Sequence, residues 1–534
     1  MKIMFYGAAR EVTGSCNGVE INSRKTLIDC GMLHGSDSSA KQDFPFHPGE
    51  IERVVITHAH IDHSGRLPLL VKQGFKGSIY ATEPTCKLLE IMLRDSAHIQ
   101  EVEAGWHSRK NRRSGDATAQ PLYTMADAEK VFPLLVPCRY NDRLDIGGGI
   151  DIRFADAGHL LGSSYVEMWL TENNRTKKIV FSGDIGVPGH PMICDPGYIK
   201  EADYVVMEST YGNRSHSPAF DTVTELAKAI EMTLAKGGNL VCPAFAIGRT
   251  QDLLYHIREI KQRNLTPSIP DFPVYLDSPL ATAATRIYSG DLLGYLDDKA
   301  AAMIRNGIQP LSFDGLRIVE TSDESKRIND DKTPKVIISS SGMCDAGRIR
   351  HHLKHNLWRQ ECAVAFTGYQ AQGTLGRVLV DEAAPYVSLF GEEIAVRCRI
   401  YNFRSMSAHA DREGLLRWLN AYERKPECVY LVHGEEEVCK SLANLLIVQG
   451  HKAIAPKLAS IYDLVSNEII FEGHETKRRS EQRPHGRRES AVYRRLMLAG
   501  TRLIEVITRN REGTNKDLAK FADQIDALSN KWDR

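Results

Sequence analysis

Hydrophobic and polar residues follow two different patterns along the chain. Up to about Val205, short β-rich runs end in Gly, Asp or His; residues 54–57, for example, directly precede His58. This pattern predicts strands whose polar ends gather at one rim of a sheet, where open sheets usually place their sites. A few helical stretches, such as residues 88–93, are predicted between the strands.

From about residue 213 to residue 397, predicted strands and helices alternate. Asp221 can cap a helix over residues 223–234, and the next strands are predicted at residues 240–242, 274–276, 336–338 and 363–366. Such alternation predicts a mostly parallel, Rossmann-like sheet. No GxGxxG follows the first of these strands, so we expect no dinucleotide. The run at residues 429–432 then resumes the first pattern and ends at His433.

Two regions are unusually basic. Residues 106–120 carry several Arg and Lys with Gly and Ser, which predicts an exposed basic insertion. Residues 475–495 are rich in Arg, and we favour a flexible solvated linker there over a contact with RNA. Beyond them, apolar residues at helical spacing predict two amphipathic helices, near residues 492–506 and 518–532. Such a hairpin would dock on the body of the protein or on a second copy, which would give a homodimer.

Composition narrows the class of protein. A chain of 534 residues fits two or three domains. Its formal net charge is zero, so affinity for a polyanion must come from local basic patches or bound metal. The 11 cysteines form no CxxC pair, as expected of a reduced cytosolic chain. The N-terminal apolar run is too short for a signal peptide, and no run approaches the roughly 20 residues that span a membrane, so we expect a cytoplasmic protein.

The strongest chemical signal is the sequence His58-x-His60-x-Asp62-His63 after a strand. Two imidazoles two residues apart on a turning loop can converge on one ion, while Asp62 and His63 can face a second. Zinc prefers such nitrogen and carboxylate ligands at catalytic sites. The alternative is a polar surface cluster, and the specificity of the motif favours the metal site.

Three further residues extend this site. His159 lies in a Gly-rich turn, and Asp184 ends the run Phe181-Ser182-Gly183. Each would more often be structural in isolation, but each follows a strand in a chain that already carries the histidine motif. The two oxygens of Asp184 can bridge two ions. Asp29, at the end of another strand, is expected to orient the histidine loop by hydrogen bonds rather than to bind metal directly.

The order of these residues resembles the four motifs of the metallo-β-lactamase superfamily. Glu208, His409 and His433 resemble motifs A, B and C of its β-CASP branch, whose members process nucleic acids. The segments 245–250, 340–343 and 368–370 are also similar, and the likeness covers residues 1 to about 460. It is greatest to bacterial and archaeal relatives of the endonuclease subunit of the cleavage and polyadenylation specificity factor; ribonuclease J is a more distant relative.

The resemblance implies an α/β fold: a metallo-β-lactamase αββα sandwich with an inserted Rossmann-like β-CASP domain and a C-terminal helical tail. We expect residues 1–212 and 398–470 to form the two parts of the sandwich and residues 213–397 the β-CASP domain. Residues 471–534 would form a basic linker and helical extension.

The resemblance also implies a zinc-dependent ribonuclease that acts on single-stranded RNA through a hydroxide held by two metal ions. One zinc would be bound by His58, His60, His159 and Asp184, and the other by Asp62, His63, Asp184 and His433. Asp62 would accept a proton from the nucleophile. His409 would protonate the leaving 3′ oxygen, with Glu208 orienting it, which leaves a 3′-hydroxyl and a 5′-phosphate. Manganese and iron also suit these ligands.

Other residues bear on the substrate. RNA-processing members carry histidine at motif C, so His433 indicates RNA. Arg249 and the turn of Ser341 and Gly342 are candidate phosphate holders, because arginine binds phosphate bidentately and Gly-rich turns expose backbone N–H groups. The alternative for Arg249 is the start of a solvated helix face.

Three other functions are compatible with parts of this pattern. A 5′-to-3′ exoribonuclease would need only an added pocket for the terminal phosphate, whereas we favour endonucleolytic cleavage. A small-molecule metallo-hydrolase would share the histidine motif but would not explain motifs A to C. An inactive scaffold would have lost ligands, yet every expected ligand type is present.

Overall fold

The structure is a computed structural model that describes most of the chain. The described residues are 1–33, 42–114, 119–215, 222–290, 292–368, 370–371, 373–403, 406–474, 499–500, 502–504, 506–507, 509–510 and 514–532. The predicted basic linker at residues 475–495, the predicted cap Asp221 and most of the first predicted C-terminal helix lie outside them.

Sheet A is a mixed sheet built from the N-terminal part of the chain and two late strands. It has eight strands; in spatial order they are Glu468–Phe471, Ile461–Asp463, Lys2–Gly7, Cys16–Ile21, Arg24–Ile28, Ile51–Val55, Ser78–Thr82 and Leu135–Cys138. The last four pair in parallel, so their carboxyl ends meet at one edge.

Sheet B joins residues that lie on either side of a long insertion. It has seven strands; in spatial order they are Ala453–Ile454, Cys428–Val432, Tyr204–Glu208, Arg175–Phe181, Ser164–Glu172, Ile150–Asp156 and Arg143–Asp145. Tyr204–Glu208 and Cys428–Val432 pair in parallel, with Glu208 opposite Val432.

The two sheets pack face to face. Alternate residues of one strand show this: Tyr204 and Val206 lie in the core between the sheets, together with Phe5 and Ile28 of sheet A. Their neighbour Val205 faces the opposite side, where it packs with helix residues that include Trp418 and Leu442. Since successive strand residues point to opposite faces, sheet B is covered on one face by sheet A and on the other by helices.

Sheet C is formed by the insertion and is wholly parallel. Its six strands, in spatial order, are Leu316–Ile318, Val274–Asp277, Val336–Ser339, Leu240–Pro243, Ala363–Phe366 and Arg399–Asn402. The predicted Rossmann-like sheet is confirmed. Its last strand, Arg399–Asn402, follows residue 397, at which the sequence analysis ends the inserted domain.

Helices lie between the strands along the described part of the chain, and one further helix lies in the C-terminal region. The helices are Ile61–Ser64, Leu67–Lys72, Glu83–Ser114, Met125–Glu129, Thr222–Leu234, Arg249–Gln262, Pro279–Tyr288, Asp298–Arg305, Ser322–Asp330, Ile349–Asn356, Leu375–Val380, Arg412–Leu419, Glu436–Val448 and Asn515–Trp532. The helix predicted at residues 88–93 is the middle of one that runs from Glu83 to Ser114, so the predicted basic insertion begins as part of it. A hairpin of Tyr386–Leu389 and Glu392–Ala395 completes the inserted domain.

The described residues from 499 onward group with Asp43–His47 as a unit separate from the rest of the described chain. Its helix Asn515–Trp532 confirms the second amphipathic pattern of the tail. Among the described residues, no helix has the length and apolarity that a membrane span requires.

Candidate metal centre

The predicted metal ligands all follow carboxyl ends of strands at the edge shared by sheets A and B. Residues 58–63 follow the strand Ile51–Val55, and Asp62 and His63 lie in the short helix Ile61–Ser64. His159, Asp184 and His433 follow strands of sheet B. Because these strand ends meet at one edge, residues far apart in sequence converge.

Close backbone packing brings Asp184 against the histidine loop. Gly183 has a φ of +49°, and a Cβ there would lie 2.7 Å from the Cβ of Thr57. Only glycine allows this approach without a clash. Asp29 and His433 also have positive φ angles, 63° and 52°; backbone strain of this kind concentrates at functional sites.

Four atoms form a first cluster: His58 Nε2, His60 Nδ1, His159 Nε2 and one oxygen of Asp184. His60 Nδ1 lies 3.2 Å from His58 Nε2 and 3.3 Å from His159 Nε2. Both of those Nε2 atoms lie 3.4 Å from Asp184 Oδ2. Ligands about 2.0–2.1 Å from a tetrahedral zinc are roughly 3.3–3.4 Å apart, so the spacing fits such an ion.

A second cluster shares the other oxygen of Asp184. His63 Nε2 lies 3.3 Å from Asp184 Oδ1 and 3.2 Å from His433 Nε2. His433 Nε2 lies 3.5 Å from Asp62 Oδ2 and 3.7 Å from Asp184 Oδ1. Asp184 Oδ1 is buried without a hydrogen-bonding partner among the described residues. The two oxygens of one carboxylate thus face two separate groups of ligand atoms.

Hydrogen bonds outside the two clusters orient His58 and His63, which follow the strand Ile51–Val55. His63 Nδ1 donates to Asp29 Oδ2 at 2.7 Å. Asp29 also accepts the N–H and hydroxyl of Thr57, at 2.8 and 2.9 Å. The Thr57 oxygen lies 3.1 Å from His58 Nδ1 and can accept its proton. Both rings therefore turn their Nε2 toward Asp184.

The histidines of sheet B are held in the same way. His159 Nδ1 donates to the Ala408 carbonyl at 3.2 Å. His433 Nδ1 lies 3.1 Å from the Thr210 hydroxyl, which donates to Glu208 Oε2 at 2.5 Å. The Thr210 hydroxyl therefore accepts a hydrogen bond from His433 Nδ1 and donates one to Glu208. The Nε2 atoms of His159 and His433 again point into the clusters.

The electrostatics match a cation site. Burial and the neighbouring His58 lower the pKa of His60 to about 3, and burial lowers the pKa of His159 well below its ordinary value. These rings are neutral, as metal ligands must be. Burial opposes charge on His63, but Asp184 and Asp29 raise its pKa well above the ordinary value. The carboxylates that favour a proton there equally favour a divalent cation.

His409 and Glu208 lie beside the clusters. His409 Nδ1 is 3.1 Å from Glu208 Oε2, and its Nε2 is 3.9 Å from Asp184 Oδ2. Although burial disfavours the charged imidazole, Glu208 and Asp184 raise the pKa of His409 to about 9. Glu208 is fully buried and also accepts the N–H of Ile185 at 2.5 Å. This arrangement holds a protonated imidazole facing the clusters.

Access from solvent is confined to one side. The side chains of Asp62 and His409 are 22% and 18% exposed, whereas those of Asp184 and His58 are 2% and 1% exposed. A substrate that approaches the clusters therefore meets Asp62 and His409 first.

The carboxyl edge of sheet C borders the same opening. The ring of Phe245, after the strand Leu240–Pro243, lies 6.5 Å from that of His60. Gly342 packs behind Phe245, where a Cβ would meet its ring at 2.9 Å. The Ser341 N–H donates to the Ala346 carbonyl at 3.2 Å. The structure thus brings Ser341 and Gly342 to this edge, with Phe245 between them and His60.

Arg249 is placed differently. Its side chain is only 8% exposed, and its guanidinium lies 2.8 Å from Asp252 and donates to the Met406 carbonyl. The side chain does not lie on a solvated helix face. In this structure its guanidinium contacts groups of the protein itself rather than the solvent side of the opening.

Two residues of the site were missed by the sequence analysis. Thr57 and Thr210 link the histidines to Asp29 and Glu208. Each stands next to a recognised motif, but a threonine carries no spacing signal of its own. Only the folded geometry shows what its hydroxyl contacts.

Comparisons with known proteins agree with this geometry. Residues 19–185 match the Metallo-beta-lactamase superfamily domain, residues 250–379 the Beta-Casp domain, and residues 393–456 the Zn-dependent metallo-hydrolase RNA specificity domain. The fold and the ligand clusters therefore define a metallo-hydrolase.

Among similar proteins is Ribonuclease TTHA0252 of Thermus thermophilus, 36% identical over 85% of this chain and 97% of the relative. An RNase J-like protein of Methanocaldococcus jannaschii is 31% identical over 83% of this chain and 94% of the relative. Transcription termination factor FttA of the same organism is 29% identical over 83% of this chain and 68% of the relative. The chain belongs to the metallo-β-lactamase superfamily, in its β-CASP branch.

Proposed function

We propose that this protein is a zinc-dependent ribonuclease that cleaves RNA phosphodiester bonds, mainly at internal positions. The observation that carries the proposal is the shared carboxylate of Asp184, whose two oxygens face two clusters of imidazole nitrogens. Ribonucleases among the relatives support RNA as the substrate.

The two clusters fit a pair of zinc ions. His58, His60, His159 and Asp184 would hold one ion, and Asp62, His63, His433 and Asp184 the other, with Asp29 orienting His63. The nitrogen-rich donor sets and the spacing of about 3.3 Å suit zinc, although manganese and iron accept the same ligands. Bound there, the ions would activate water and polarise the scissile phosphate.

Two partly exposed side chains, those of Asp62 and His409, would handle the protons. Asp62 lies on the open side of the second cluster, where it would orient the attacking water and accept its proton. The bond from phosphorus to the 3′ oxygen then breaks, and this oxygen needs a proton to leave. His409 Nε2 would supply it, while Glu208 holds Nδ1. The products would carry a 3′-hydroxyl and a 5′-phosphate.

Digestion of a 5′-labelled RNA by the wild type, His409→Ala and Asp184→Ala tests these roles. We expect internal cuts by the wild type, a loss of about 10²–10⁴-fold without His409, and no detectable cleavage without Asp184. Internal cuts that persist undiminished in both variants would refute the roles. Circular RNA separates the two modes: an exonuclease leaves it intact, whereas the proposed endonuclease opens it.

We also propose the boundaries and setting of the molecule. The sandwich would comprise residues 1–212 and the part after Asn402 to about residue 470, with the β-CASP domain between them. The free thiols of all 11 cysteines suit the cytoplasm. A homodimer through the C-terminal region is supported by the helix Asn515–Trp532, where Leu528 is 56% exposed. Sedimentation of the full chain and of a chain ending at residue 474 would test it.

A further inference from the structure

A buried group outside the metal clusters joins the inserted domain to the sandwich. Arg249 begins the helix Arg249–Gln262, and its guanidinium lies 2.8 Å from Asp252, one turn further along. The same guanidinium lies 3.2 Å from His190 Nε2 and donates to the carbonyl of Met406. His190 follows Asp184 by six residues, and Met406 precedes His409 by three. The Arg249 side chain therefore contacts its own helix, the segment after Asp184 and the segment before His409.

Arg249 and Asp252 form a buried contact within the protein rather than a binding site for ions from solvent. The side chains of Arg249 and Asp252 are 8% and 5% exposed. Burial would raise the pKa of Asp252, but His190 and Arg249 hold it below its ordinary value. The pair is therefore ionised and closed to a phosphate group.

The segment that carries His409 is anchored at alternate residues. The carbonyl of Met406 accepts from Arg249, and the carbonyl of Ala408 accepts from His159 Nδ1 at 3.2 Å. The N–H of Ala410 donates to the carbonyl of Ile185 at 2.8 Å. His409 lies between the last two anchors. Of the three, only the Arg249 contact comes from the inserted domain.

We propose that Arg249 is a positioning residue for His409: it fixes the backbone before the proton donor and so couples the inserted domain to the leaving-group step. The inference rests on the function proposed above. If Met406 is released, His409 Nε2 can move relative to the 3′ oxygen. A displacement of about 1 Å at a reacting group is enough to reduce a rate roughly 100-fold.

The test compares Arg249→Met on two substrates that differ in one bridging atom. One is a single-stranded RNA; the other carries sulfur in place of the 3′ oxygen at a single linkage. A thiol ionises near a pKa of about 8.5, so the sulfur leaves without help from a proton donor. A defect in positioning His409 must therefore show on the oxygen substrate and largely vanish on the sulfur substrate.

On the oxygen substrate we expect kcat to fall about 10- to 100-fold, with KM and the bound metal per chain unchanged. On the sulfur substrate we expect the loss to shrink to a few-fold, as for His409→Ala. Arg249→Lys, which keeps one donor and the charge, should recover part of the rate. Arg263→Met, on the exposed end of the same helix, is the matched control and should behave as wild type.

Several results would overturn the proposal. A raised KM with normal kcat would show that Arg249 binds phosphate directly. Equal losses on both substrates would show a general structural role. If Arg249→Met does not fold, Asp252→Asn replaces it, because Asp252 holds the guanidinium; a variant with wild-type kcat would then reject the proposal. Failure of the wild type to cut either substrate would instead refute the proposed ribonuclease, and the inference with it.

Discussion

Two buried groups of aspartate and histidine lie at strand ends in this molecule, and only one of them has the character of a metal centre. In the sandwich, Asp184 faces the imidazole nitrogens of two clusters, and its Oδ1 has no hydrogen-bonding partner among the described residues. In sheet C, Asp277 ends the strand Val274–Asp277 and is also fully buried. The residue types are the same.

The group around Asp277 is closed by its own hydrogen bonds. Asp277 Oδ2 accepts from His352 Nε2 at 2.7 Å and from the Ser325 hydroxyl at 2.5 Å. Asp277 Oδ1 accepts from Arg348 at 2.7 Å, and His352 Nδ1 lies 3.0 Å from Asn329 Oδ1. Both oxygens of Asp277 therefore have hydrogen-bond donors from the protein, so this carboxylate needs no ion.

The difference teaches how to distinguish a structural network from a ligand site. Buried polar atoms normally find protein partners. Around Asp184 the Nδ1 atoms of four histidines have such partners, whereas the ring atoms turned toward Asp184 face one another. A cation between these inner atoms would satisfy them together. Composition or burial alone does not separate the two groups; the direction of the lone pairs does.

The largest expected effect is on Asp184. Asp184→Asn keeps the size of the side chain but removes the negative charge that both clusters share. We expect activity on RNA to fall by at least about 10³-fold, since metal-ion catalysis contributes several kcal/mol. Elemental analysis of the purified protein should find less metal per chain. Wild-type metal content in this variant would show that the metal content does not depend on the charge of Asp184 and would contradict the comparison with Asp277.

Asp277→Asn is the matched change in the other group, and its effect should be on stability. Loss of this partner leaves Arg348 and His352 uncompensated, which typically costs about 3–5 kcal/mol. Urea unfolding near neutral pH should show this decrease, with metal content per chain unchanged. A loss of metal with unchanged stability would contradict this expectation, because it would make the group around Asp277 a metal site rather than a structural network.

The same variant has a defined pH dependence. Burial would raise the pKa of Asp277, but His352, Ser325 and Arg348 hold it below its ordinary value of 3.8. The ionised carboxylate therefore contributes stability above pH 3.8, and this contribution is lost as the pH falls through the lowered value. The difference between wild type and Asp277→Asn should shrink accordingly in acid. A difference that grows below pH 3.8 would contradict the assignment.

The sequence shows the open cluster far better than the closed network. His58 to His63 form a dense motif directly after a strand, so ligand spacing is visible in a few residues. Asp277, Ser325 and His352 are spread over three elements with no spacing rule, and they were not predicted. Local patterns also gave the strands and helices of sheet C, because each buried strand is a short apolar run.

What the sequence could not provide is contact between distant segments. Arg249 was interpreted as a candidate phosphate holder because arginine binds phosphate bidentately. Whether its guanidinium reaches solvent or the Met406 carbonyl depends on how two domains pack. The hydroxyls of Thr57 and Thr210 pose the same problem, since threonine is common in strands and turns.

A smaller effect is expected for Asp29, which lies outside the ligand clusters. Asp29→Asn keeps an oxygen near His63 Nδ1 but weakens the charge-assisted hydrogen bond. Changes to such partners lower metal affinity by about 10- to 100-fold, which chelator competition can measure. Asp151→Asn, at a partly exposed ion pair with Arg143, is the control and should bind metal normally. Wild-type affinity in Asp29→Asn would leave this aspartate a purely structural role.

The smallest expected effect is on Thr210, and it would distinguish the two ligand clusters of the metal centre. Thr210→Val keeps the shape of the side chain but removes the hydroxyl between His433 and Glu208. His433 then lacks an acceptor for Nδ1–H, so its Nε2 is less firmly directed. We expect affinity to fall by up to about 10-fold, and only for the ion held by Asp62, His63 and His433. Calorimetric titration that resolves two metal equivalents would detect this.

Two further variants decide what the Thr210 result means. Thr210→Ser retains the hydroxyl and should restore wild-type affinity, whereas Thr176→Val, at the exposed start of the strand Arg175–Phe181, should have no effect. Among the described residues, His58, His60 and His159 form no hydrogen bond with Thr210 or Glu208, so the ion that they would hold should bind as in the wild type. If both equivalents weaken together, the clusters are coupled through Asp184 more strongly than their separate outer partners indicate.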